Sequence, residues 1–167
     1  MTGRLIPDHD LLLPEGYVHL QTGGVGAMPR PVFDATVAAM TAVESDPAGE
    51  TYGPGIGRID RVRAKAAGLL GCDADDIVLT GSATAGMFLI AQGLDFQPGD
   101  RVLTTDHEHP AGRFGWEWAA RRHGIHIDTL PIPPDAADPE KIVEAFATAI
   151  RPATRELSFS HILFTIE

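Results

Sequence analysis

The sequence has a single cysteine, Cys72, which excludes an intramolecular disulfide framework and fits a reducing cytoplasm. It is poor in positive charge: 13 Lys and Arg stand against 23 Asp and Glu, for a formal net charge of −10. That balance argues against nucleic acid or an anionic membrane as the main partner. No run approaches the ~20 apolar residues of a membrane span. The opening "MTGRLIPDHDLLLPEG" lacks the apolar core and small-residue cleavage pattern of a secretory leader. Internal repeats and an interdomain linker are also missing. What is there is ordinary for a soluble globular chain: 167 residues, close to one domain, 44% hydrophobic, with 18 Gly and 13 Pro supplying turns.

Along the chain, residues 1–30 read as irregular, ending in the Gly/Pro-rich "TGGVGAMPRP". Helices are expected over 31–44, where Phe33, Val37 and Met40 share a face, and over 59–71, where Ile59, Val62, Ala66 and Leu69 form a stripe and Gly71 stops the helix. Between them "SDPAGETYGPGIGR" reads as a break. From residue 76 the pattern alternates. Strands are expected at 76–80, 101–105, 125–130 and 156–165. Helices are expected at 82–94 (Met87, Phe88 and Ala91 inward), 112–124, and 138–150 (Ile142, Phe146 and Ile150 inward), the last capped by Asp138 with Pro139 at its first position. Such alternation implies an α/β fold, a mostly parallel sheet with flanking helices and right-handed crossovers.

In sheets of this kind ligands bind beyond the carboxyl ends of the strands. Three stretches arrive there: "TGSATAG", "TTDHEHPAG" and "FTIE". In the first, Gly81 permits a tight turn and Ser82, Ala83 and Thr84 open a helix whose unpaired N–H groups and dipole favour an anion. The alternative is plain N-capping by Ser82. The loop is neither a Walker P-loop nor a G-x-G-x-x-G dinucleotide fingerprint. The second stretch packs Asp106, His107, Glu108 and His109 together. His107 and His109, two apart, would face the same way on an extended segment. A zinc site would need a third ligand, for which Asp106, Glu108 or His161 could be proposed, but the spacing matches no established motif. General acid–base work by His107, a solvated run of charges, and an imidazole shelf for a planar ligand remain open beside it.

"HLQTGGVGAMPRPV", "YGPGIGRIDRVRAKAAGLLG", "IVLTGSATAGMFLIAQGLDFQPGDRVLTTDHEHPA" and "SHILFT" resemble, in order and spacing, the class V aminotransferases. These are pyridoxal-phosphate enzymes of fold type I, among them cysteine desulfurases and isopenicillin-N-epimerase-like proteins. "TGGVGAMPRPV" and "DHEHPA" look closer to the epimerase-like group. The resemblance implies a partial three-layer fold-type-I large domain, with 31–167 as its N-terminal part. It implies that the Ser82-Ala83-Thr84 turn cradles the phosphate of pyridoxal 5'-phosphate, that His109 stacks on the pyridine ring, and that Thr165 lies near the cofactor's 3-oxygen. His107 receives no role from it.

The departures from the family pattern are as informative. The family continues beyond "SHILFT" with the aspartate that keeps the pyridinium protonated and the Schiff-base lysine. This sequence has two lysines, Lys65 and Lys141, both within expected helices. In the family's topology further strands also separate 76–80 from the other three. The expectation is therefore the N-terminal portion of an enzyme acting on an amino acid (transaminase, epimerase, lyase or desulfurase), inactive alone, and cytoplasmic and homodimeric when full length. The alternatives are a non-catalytic truncated remnant or interaction fragment, and a small independent α/β phosphate-ligand module. Cys72 reads as structural, and Trp116 and Trp118 as one packed and one exposed ring.

Overall fold

The computed structural model describes residues 10–22, 24–133 and 138–163. The chain divides into two compact units, Met1–Val78 and Leu79–Glu167. In the first, α1 (Arg30–Ser45) carries Pro31 in its first turn. The expected break after it is itself helical: α2 (Pro47–Tyr52) and α3 (Pro54–Leu70) fill most of it. Each opens on a proline, whose missing N–H costs nothing at a helix start. Asp46 caps α2 by accepting from the Gly49 N–H at 3.0 Å. Gly71 ends α3 in the left-handed conformation, φ 73°, as expected.

The expected strand at 76–80 does not form. A 3₁₀ turn spans Ala74–Asp76, and the residues after it are extended without a ladder. A strand exists through its partners' hydrogen bonds, and none of the described strands pairs with this segment. Arg63 holds it instead, donating to the carbonyls of Ala74 (2.6 Å) and Ile77 (3.1 Å).

The second unit contains α4 (Ala83–Gly93), β1 (Arg101–Thr105), α5 (Pro110–His123), β2 (His126–Leu130), α6 (Pro139–Ala149) and β3 (Thr154–Leu157). The strands form an all-parallel sheet in the order β2-β1-β3, so the expected parallel α/β arrangement holds for these three. The fourth expected strand is shorter than 156–165: pairing stops near Leu157, with the Ser158 N–H still donating to Leu103 at 2.9 Å. β1 lies in the middle, and Val102, Leu103, Thr104 and Thr105 are all buried, as befits a strand covered on both faces.

The core gathers Ala91 of α4, Phe96, Val102 of β1, Trp116 and Ala119 of α5, and Ile125. Phe96 and Trp116 meet edge to face, centroids 6.3 Å apart, and the indole N–H donates to Ser158 Oγ at 2.9 Å. Trp118 is exposed, so the two rings divide as expected. Helices α4 and α5 approach closely at Gly115, where an added Cβ would stand 3.1 Å from both Ala91 Cβ and the Met87 carbonyl oxygen. On α6 the inward expectation holds for Ile142 and Phe146, both half-buried, but Ile150 at the helix end is exposed. Asp138 caps α6, accepting from the Glu140 N–H at 3.1 Å.

Candidate functional site

The carboxyl end of β1 is where the four polar residues 106–109 leave the sheet, and they part at once. The chain turns after Thr105, so His107 and His109 do not face the same way. Asp106 goes to the exit of β2: its N–H donates to the Leu130 carbonyl (3.2 Å), and its carboxylate accepts from the Ile132 N–H (3.0 Å). His107 turns inward and is buried. Its Nε2 lies 2.5 Å from the Ile132 carbonyl oxygen and 3.6 Å from Asp106 Oδ1. His107 is therefore a structural tie between two strand exits.

Glu108 turns to the opposite edge. Its carboxylate accepts from the Thr105 hydroxyl (2.9 Å), the Ser160 N–H (3.0 and 3.1 Å) and the Ser160 hydroxyl (2.6 Å). His109 is the N-cap of α5, and its Nδ1 accepts from the Ala111 N–H at 3.1 Å. An accepting Nδ1 carries no proton in that tautomer, which puts the proton on Nε2 and fixes the ring plane. The ring is exposed. Among the described residues no group of three His, Cys, Asp or Glu side chains converges as a metal would require.

Ser82 is the N-cap of α4, and its hydroxyl oxygen accepts from the Ala85 N–H at 3.1 Å. The capping alternative is thus realised, yet it does not exhaust the turn. Thr80 Oγ1 donates to the Ser82 carbonyl (2.9 Å), bracing the loop from behind. Capping occupies one lone pair of Ser82 Oγ and leaves its O–H proton available to donate. The N–H groups of Ala83 and Thr84 have no acceptor among the described residues. Ser82 and Ala83 are exposed and Thr84 is half-buried. The turn is a set of donors at a helix start, suited to an anion. Thr165 lies outside the described residues.

A two-bonded charge pair stands away from this edge. Arg101, at the amino end of β1, grips Asp128 with two hydrogen bonds, Nε to Oδ2 at 2.6 Å and Nη2 to Oδ1 at 2.5 Å. Those bonds hold the Asp128 carboxyl below the usual carboxylate range and raise Arg101 in turn. The two lysines are placed on helices: Lys65 is exposed on α3, and Lys141 on α6 is exposed with its Nζ 3.8 Å from Asp138.

The aminotransferase class-V family model matches residues 21–163. The chain belongs to that family. It is 30% identical over 155 residues to isopenicillin N epimerase of Streptomyces clavuligerus, which covers 93% of this chain and 39% of the epimerase. A cysteine desulfurase of Serratia proteamaculans is 30% identical over 81 residues, 46% of this chain and 20% of that protein. Among solved structures, a lysine-to-alanine mutant of C-DES with glycine covalently linked to its PLP cofactor superposes with a TM-score of 0.82 at 26% identity, over 95% of this chain and 42% of that one. The fold is therefore that of the fold-type-I enzymes, and the chain spans about two fifths of the length of these fuller matches.

Proposed function

We propose that the whole protein binds pyridoxal 5'-phosphate and acts on an amino acid at its α-carbon, as an epimerase, lyase, desulfurase or transaminase, and that it works as a cytoplasmic homodimer. Residues of this chain hold two parts of the cofactor. The Ala83 and Thr84 N–H groups and the Ser82 and Thr84 hydroxyls take the phosphate, and the His109 imidazole lies against the pyridine ring. The family resemblance also implies a contact to the ring oxygen from Thr165, which lies outside the described residues. Bound there, the cofactor supplies an electron sink for charge developing at the α-carbon. The observation that carries the reading is the exposed His109 ring, held in plane by the Ala111 N–H at the exit of the central strand. By itself the 167-residue sequence offers phosphate and ring contacts but no lysine for covalent attachment, since Lys65 and Lys141 stand exposed on helices.

Titration of the chain with pyridoxal 5'-phosphate, followed by equilibrium dialysis and absorption, tests this. Thr84→Ala should weaken binding by roughly ten- to a hundredfold, the effect of one hydrogen bond to a charged group. Thr84→Pro should weaken it further by deleting an N–H at a helix position that tolerates proline. His109→Ala should weaken binding and shift the cofactor's absorption. Borohydride reduction should leave neither lysine stoichiometrically labelled. Specific labelling of Lys65 or Lys141, or indifference to both Thr84 and His109, would overturn the assignment.

A further inference from the structure

We propose that Glu108 is a positioning residue for the His109 ring, acting through Ser160, which lies 52 positions further along the chain; the proposal rests on the cofactor reading above. The two residues at the centre of the 106–109 turn point in opposite directions, and only Glu108 reaches the β3 side of the sheet. Its carboxylate is surrounded by donors: Thr105 Oγ1, the Ser160 N–H and the Ser160 hydroxyl. Thr105 is in turn shared, its Oγ1 also accepting from the His107 N–H at 3.3 Å. Three successive residues are thereby fastened to both neighbours of β1, Asp106 and His107 at Ile132 and Glu108 at Ser160. His109 follows directly, a single residue between that anchored backbone and the first turn of α5.

A ring that must lie parallel to a planar ligand needs its backbone fixed more tightly than a ring that merely fills space, because a small rotation at Cα becomes a large tilt at the imidazole. Charge-assisted hydrogen bonds to a carboxylate are the strong members of their class, and here they converge one residue before the platform. Ser160 contributes in two distinguishable ways: its N–H is independent of side-chain identity, while its hydroxyl is not.

The test uses the full 167-residue chain with pyridoxal 5'-phosphate and, separately, inorganic phosphate. Glu108→Ala should lower pyridoxal phosphate affinity by roughly tenfold and collapse the circular dichroism induced in the bound cofactor. Phosphate affinity, set at the Ser82 turn, should not change. Ser160→Ala, which keeps the N–H, should give a smaller loss of the same kind. Glu108→Gln should largely restore the signal, since its amide oxygen still accepts from the Ser160 N–H and its NH2 can donate to the Ser160 hydroxyl. In the ligand-free chain, Glu108→Ala should speed hydrogen exchange at the Ala111 N–H and broaden the His109 ring resonances. Unchanged exchange and ring resonances in a folded Glu108→Ala chain would overturn the positioning role, whether or not the wild type binds the cofactor. A wild type that binds no pyridoxal phosphate but shows the exchange effect would instead sink the cofactor reading and leave the positioning intact. If Glu108→Ala does not fold, an unaltered Ala111 exchange rate in Ser160→Ala overturns the proposal.

Discussion

The two units of the chain use apolar residues in opposite ways. In Leu79–Glu167 the helical and strand periodicities end in a packed cluster around Trp116, whose side chain is 2% exposed. In Met1–Val78 periodicity of the same quality ends at the surface. Phe33, Val37 and Met40 of α1 stay 43%, 46% and 64% exposed, and Leu69 of α3 87%. Ala67 is the one buried residue among those described there. A pattern of apolar positions therefore records that a face is suited to burial, not that this stretch of chain does the burying. The first unit is held by backbone caps and by polar reach, such as Arg63 to Ala74 and Ile77. The second is held by side-chain packing.

The contrast predicts a hierarchy of stability effects. Trp116→Ala empties the core and strips Ser158 of its donor, and should cost about 3–5 kcal/mol in denaturant unfolding. A loss under ~1 kcal/mol would mean the cluster is not the stabilising core. Gly115→Ala forces a methyl against Ala91 and the Met87 carbonyl, and about 1–3 kcal/mol is expected from the overpacking. If this variant unfolds at the wild-type denaturant midpoint, the α4–α5 contact is looser than 3.1 Å implies.

The Arg101–Asp128 pair gives a pH signature. Asp128's folded pKa lies below its unfolded value of about 3.8, so the native state holds fewer protons than the unfolded one in the window between. The pair's contribution is present above the unfolded value and lost as pH falls through the folded one. Thermal melts should show the wild type losing more stability than Asp128→Asn on acidification from neutral pH to below 4, while at neutral pH Asp128→Asn is the weaker of the two. A constant gap between them across that range contradicts the linkage. The smallest effect belongs to the first unit: Phe33→Ala should cost no more than about 0.5 kcal/mol, as for surface substitutions. A cost like that of Trp116→Ala would show that α1 is covered in solution, and sedimentation of the same sample would tell whether a second copy covers it.

Much of this architecture was legible from sequence where a single residue decides a boundary. Asp138 and Gly71 mark helix ends by local chemistry and act as read, while at Ser82 the cap is the alternative that the sequence offered beside an anion site. The Asp-Pro pair that announces α6 at 138–139 also stands at 46–47, where it opens α2. Surrounding glycines made that stretch look like a break, although they did not remove the cap. Residues 76–80 were misread for the opposite reason: β-branched composition is local, but a strand is a relation to a neighbour. In the 106–109 cluster, sequence spacing suggested a shared face for two histidines because it could not show the turn. The bonds from Glu108 to Ser160 had no sequence signal at all. Nothing local connects a carboxylate with a serine 52 positions away; only the order of the strands does.

That strand order also carries a timetable. β1 meets β2 at a separation of 25 positions, Arg101 against His126, but it meets β3 at 53, Arg101 against Thr154. The connection to β3 must pass over the already central strand. The longer loop is entropically dearer to close, and the sequence separation slows it, so β1–α5–β2 is expected to pair before β3 docks. In that order Asp106 and His107 would meet Ile132 first and Glu108 would meet Ser160 last. The backbone before α5 is thus expected to be fastened on both sides only once the segment after β3 has docked, so its amide protection should be among the last gained when the chain refolds.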